Sequence, residues 1–277
     1  MRIKTIMMLT AAVMLFSWLL SAGSGCACAQ ISKTRYLVVT SDTILSGMAE
    51  ALLPETQYRV EAILPPGQCP GHYDVKLSDI EKIKKADLMI AFRGMPFLNQ
   101  TDLSGRTQLF VDMDGRYWMA PDSYIYGLNR MADALSIRFP KNRDDISRRK
   151  AAVVGQVKKE ANSLKNQTQR AGFAGKPIIA SALQKEPLEW MGFHVVGVYG
   201  RPEAMSTKDV IRLLKIGREE RVVAVVDNLQ SGPETGKGIA ETLGRPHIVL
   251  NNFPSERGYL ETLRENVQSV LTAMVRK

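Results

Sequence analysis

The residues best suited to chemistry lie in one short stretch, Pro65-Pro66-Gly67-Gln68-Cys69-Pro70-Gly71-His72-Tyr73-Asp74. Its prolines and glycines hold a loop, with a thiol and an imidazole three positions apart. At that spacing Cys69 and His72 can reach one metal ion, and this pair suits zinc, copper or nickel rather than calcium or magnesium. A pair supplies two ligands, so at least one more must come from elsewhere. Taken alone, the pattern also fits two residues that merely pack a loop. A lone cysteine is commonly a small buried hydrophobe.

Nearly continuous apolar runs surround this loop, at Tyr36–Thr40, Tyr58–Leu64, Ala86–Phe92 and Thr107–Met113 in the first half. Four more follow, at Pro177–Ser181, His194–Tyr199, Arg221–Asp227 and His247–Asn251. Such runs are typical of strands buried on both faces of a parallel sheet. Helical stretches separate most of them, with capping signals at Ser78 to Glu81 and at Ser206 to Asp209. The expected fold class is α/β: two lobes, each with a mainly parallel four-stranded sheet, joined by one long helix. That helix is read at 144–172, where Ile146, Val153, Val157, Ala161 and Leu164 keep to one face. The first lobe is then 30–143 and the second 173–277, with 1–29 as a leader.

Open parallel sheets bind ligands beyond the carboxyl ends of their strands, so two facing lobes make a cleft lined by strand-end loops. Candidates there include Ser41, Asp42, Arg93, Asp114, Arg116, Ser181, Arg201, Glu203, Asp227 and Asn228. Arg93, Arg116 and Arg201 favour an anionic ligand, such as a metal chelate, unless neighbouring carboxylates neutralise them. Met113 and Met119 fit the core better than a metal, and His194 and His247 open strands at the ends away from the cleft. Gly232 to Gly238 imitates a phosphate-binding loop, but it is one residue short and Gly238 stands where a Ser or Thr must hold magnesium. Hydrolase chemistry has no Gly-x-Ser-x-Gly elbow to use.

Arg2 and Lys4, the apolar run from Ile6 to Leu20 and the small residues that follow read as a secretory signal peptide. Ala27-Cys28-Ala29 fits cleavage before Gln30, and Cys26 after Gly25 offers a lipoprotein start instead. The run is short for a membrane anchor. Loss of this leader leaves Cys69 as the one thiol of the mature chain, so no intramolecular disulfide framework exists. The formal net charge of +9 is scattered rather than gathered into a nucleic-acid groove, and export argues against that role as well.

From the Pro65-Pro66-Gly67 loop onward the chain resembles the metal-binding solute-binding proteins of zinc and manganese ABC importers. Carrying the resemblance are Tyr73 to Leu88, Tyr117-Trp118-Met119-Ala120-Pro121, Met131 to Leu135, Lys176 to Ser181, Val222–Gln230 and Ile239 to Gly244. It implies two four-stranded α/β lobes on a long helix, an ABC permease as partner, a transition metal as cargo, and binding rather than catalysis. Four ligand positions depart from the family pattern. Gly71 stands where a histidine follows the loop proline, Arg116 and Ala182 replace two more, and Asn228 or Asp227 takes the acidic place. The expectation is an exported, monomeric solute-binding protein of the periplasm or envelope with a rewired site. Cys69 and His72 would hold zinc, copper or nickel in preference to manganese, with Asp227 from the opposite lobe and Arg116, Arg93 and Arg201 against a chelate. The alternative is a receptor or interaction domain that keeps the fold without the metal.

Overall fold

The computed structural model describes residues 35–100, 105 and 107–275. The leader, Cys26 and the Gln30 cleavage point lie outside these residues. Arg35–Lys277 forms one unit. Its first sheet contains β1 (Tyr36–Thr40), β2 (Tyr58–Ala62), β3 (Leu88–Phe92) and β4 (Gln108–Val111) in the order β2-β1-β3-β4. The second contains β5 (Pro177–Ser181), β6 (His194–Tyr199), β7 (Ala224–Asn228) and β8 (His247–Leu250) in the matching order β6-β5-β7-β8. Every pairing in both sheets is parallel, as the unbroken apolar runs predict.

The crossovers are α1 (Thr43–Leu52) and α2 (Leu77–Lys85) in the first lobe, with α3 (Pro121–Arg138) after its last strand. In the second lobe α5 (Lys185–Trp190), α6 (Thr207–Glu219) and α7 (Glu234–Leu243) link the strands, and α8 (Tyr259–Val275) closes the chain. Local chemistry sets their starts. Ser206 accepts from the Asp209 N–H while the Asp209 carboxylate accepts from the Ser206 N–H at 3.1 Å, the reciprocal cap expected for α6. Helix α2 begins at Leu77, earlier than the Ser78 signal implies, because Asp79 accepts from the backbone N–H of Lys76 at 2.9 Å.

Helix α4 (Arg143–Arg170) is the long connector, about 42 Å at 1.5 Å per residue. Its buried side chains are Ile146, Val157, Ala161, Leu164 and Thr168, the expected face with Val153 only partly covered. It packs on α1 and α3 of the first lobe and on α8 of the second. Among the described residues no helix is long and apolar enough to cross a membrane.

Candidate functional site

The two sheets present their carboxyl ends to one cavity of about 170 Å³, lined from the ends of seven of the eight strands. Cys69 and Pro70 follow β2, the stretch from Phe92 to Pro96 ends β3, and Trp118 comes after β4. From the second lobe come Leu183, Arg201, Asn228 with Gln230 and Ser231, and Asn252 with Phe253. The back of the cleft is tied shut. The Trp118 indole donates to the Asn252 carbonyl at 2.6 Å, the Tyr117 N–H donates to Glu186 at 2.6 Å, and the Tyr124 and Tyr259 rings stack 3.7 Å apart. Phe92 lies on Trp118 at 4.7 Å and Phe253 leans on it at 5.2 Å, so one wall is aromatic and shared by both lobes.

The second lobe contributes buried amides. Gln184 donates to Asn228 at 3.0 Å, Asn228 donates to Ser231 at 2.8 Å, and Gln230 accepts from the Asn252 N–H at 2.8 Å. Among the described residues two amide oxygens, Gln184 Oε1 and Asn252 Oδ1, are buried without a hydrogen-bond partner. Uncharged amides in loops carry no distinctive spacing, so nothing in the sequence marks Gln184, Gln230 or Asn252 as functional.

The structure separates the residues expected to hold a metal together. Cys69, half-buried, lines the cavity. His72 faces an adjoining depression instead, and its Nε2 lies 3.1 Å from Glu203 Oε1 across the exposed rim. The Glu203 carboxyl is held below its ordinary range, first by a backbone hydrogen bond within its own residue and then by His72. Asp227 requires a correction. It shares its side of β7 with Val225, the side packed by α6 and α7, whereas Asn228 alternates into the cleft. The Asp227 carboxylate is 2.9 Å from His247 Nε2 and also receives Tyr199 and the Gly236 N–H. Burial pushes its carboxyl up, and these three partners pull the other way.

Arg116 is a second correction. Asp114 and Gly115 both take positive φ, and the turn carries Arg116 to the surface, over the Tyr126 ring at 4.7 Å. Arg93 lines the cavity but shares its charge with Asp112 at 3.2 Å. Asp112 lies below its ordinary range, mainly through the Asp114 N–H. Arg201 also lines the cavity. Ser41 and Asp42 are fully buried, with Asp42 accepting from the Leu45 N–H at 3.0 Å as the N-cap of α1, so they serve the fold. Met113 and Met119 are core residues. Among the described residues no three His, Cys, Asp or Glu side chains converge on one point. The donor set therefore does not fit a bare metal ion.

Residues 38–273 match the family described as "ZnuA: Zinc-uptake complex component A periplasmic". Among solved structures, a periplasmic metal binding protein from Candidatus Liberibacter asiaticus is 14% identical with TM-score 0.75, over 87% of this chain and 100% of that one. The laminin binding protein of Streptococcus agalactiae, described as a bifunctional protein with adhesin and metal transporting activity, is 17% identical with TM-score 0.70, over 86% and 99%. A crystal structure of ZnuA is 14% identical with TM-score 0.70, over 86% and 99%. At these identities the structural likeness is one of fold. No curated protein sequence matches the chain.

Proposed function

We propose, from the premise that this chain belongs to the zinc-uptake complex component A family, that it is the extracytoplasmic solute-binding component of an ABC importer. In this reading it captures transition-metal cargo in the cleft, brings it to a permease and catalyses nothing. The observation that carries the reading is the cavity itself, ringed by strand ends of both lobes and backed by contacts that join them. Loops at strand carboxyl ends are where open α/β sheets take ligands. Among the described residues Cys69 is the one thiol or imidazole side chain on that wall, so it is the proposed contact to a metal centre. A single sulfur does not strip a metal of its other ligands. The cargo therefore arrives chelated, with the chelator filling most coordination positions.

Elemental analysis of protein purified from its native compartment, without added chelators, tests the reading. Zinc, copper or nickel near one equivalent is expected. Cys69→Ser should lower retention of these softer metals far more than that of manganese. Metal-free protein from metal-replete cells, together with no uptake in equilibrium dialysis, would favour a receptor that keeps the fold alone.

A further inference from the structure

The cavity carries a charge opposite to what a bare cation needs. Arg201, just beyond β6, reaches the first lobe's loop, where a Cβ on Gly71 would collide with the Arg201 guanidinium. Residue 71 is the position at which the resemblance places a histidine, so the guanidinium takes the volume an imidazole would need. Among the described residues Arg201 makes no ion pair within 4 Å, unlike Arg93 with Asp112, although its charge is one of the lesser causes that hold the Glu203 carboxyl down. A guanidinium repels a divalent cation but offers two parallel N–H groups to a carboxylate. The buried Asn252 Oδ1, without a partner on the same cavity, calls for an N–H or O–H donor. Phe92, Trp118 and Phe253 supply an apolar wall for a carbon skeleton.

We propose that the cleft recognises a small amino- or hydroxycarboxylate, with its carboxylate on Arg201 and its N–H or O–H on Asn252, and that metal enters as the complex of such an acid. The inference rests on the solute-binding reading above, which stands without it. Both oxygen and nitrogen of such acids chelate metals, so the class accounts for one protein thiol in place of a full ligand set.

The test is calorimetric titration of metal-stripped mature protein with citrate and with L-histidine, each alone and with equimolar nickel or zinc, beside the bare ions. Wild type is expected to bind at least one acid or its complex, and Arg201→Gln to weaken that binding by at least about tenfold. Gly71→Ala should weaken it comparably at unchanged Tm, because its Cβ displaces only the tip of a flexible side chain. His72→Ala, which breaks the neighbouring contact to Glu203, should leave affinity within about twofold. Acid binding that ignores Arg201→Gln overturns the proposal. Equal losses in His72→Ala and Arg201→Gln overturn it too, by assigning Arg201 to lobe closure. Bare zinc or nickel bound with neither acid bound overturns it while leaving metal cargo intact. No binding of any probe also overturns it, and leaves the solute-binding reading to the metal content of the natively purified protein.

Discussion

At the rim of the cleft Gly71 lies beneath the guanidinium of Arg201, and behind the second sheet Gly236 lies against the carboxylate of Asp227. Both glycines leave room for a charged group from another element. The first group sits at the end of a long, partly exposed side chain that can move aside. The second is buried and pinned by His247, and the Tyr199 hydroxyl would meet the same Cβ. A glycine therefore marks a close approach in both places, but only the interior one is structural. The rim one is adjustable, as a recognition site can be.

Substitution at Gly236 should break the interior side of this contrast most severely. Gly236→Ala places a methyl group among fixed atoms and should destabilise by about 3 kcal/mol, although alanine favours helix. Chemical denaturation measures it, and a neutral result would show that Asp227 is free to turn.

The first lobe's buried acid extends the comparison to pH. Burial pushes Asp42 up to about 6, against an ordinary 3.8, despite hydrogen bonds from Ser41 and Leu45. The folded protein thus holds this proton more tightly than the unfolded chain. Asp42 costs stability above about pH 6, and that cost fades as pH falls toward 3.8. A rise of roughly two units corresponds to about 3 kcal/mol. Asp42→Asn keeps an acceptor for the helix cap, so at pH 7.5 it should gain about 2 to 3 kcal/mol, vanishing near pH 4. Tm profiles of both proteins across pH 4 to 8 that stay parallel would falsify this.

A smaller loss, about 2 kcal/mol, is expected for His247→Ala, which leaves a buried carboxylate short of one donor. His247→Gln should recover part of it; no recovery would mean the ring's packing matters more than its N–H. The smallest effect belongs to the rim, where Gly71→Ala should change stability by less than about 0.5 kcal/mol. A loss there as large as at Gly236 would erase the distinction between the two regions.

The architecture was open to reading because eight apolar runs, each flanked by turn or cap residues, have few arrangements once the sheets are parallel. Three strands, β1, β5 and β6, coincide with the expected runs at both ends. The site was legible only in part. Cys69 reaches the cavity because a loop after β2 must lie at a strand's carboxyl end. Asp227 was misplaced because one residue along a strand reverses the face, and register at the end of β7 is decided by packing on α6 and α7. Arg116 was lost to a turn that two positive-φ residues create. The meeting of Gly71 with Arg201 joins positions far apart in the chain and leaves no local pattern.

Helix α4 has one further consequence, for how the molecule comes apart. A continuous buried cluster runs from Val38 and Leu45 in the first lobe through Ile146, Val157 and Leu164 to Leu263 and Val267 in the second. Neither lobe can complete its interior without that helix, so melting either one strips apolar cover from the other. The pair should therefore unfold as a single cooperative transition, with equal calorimetric and van't Hoff enthalpies, where two independently stable modules would give two.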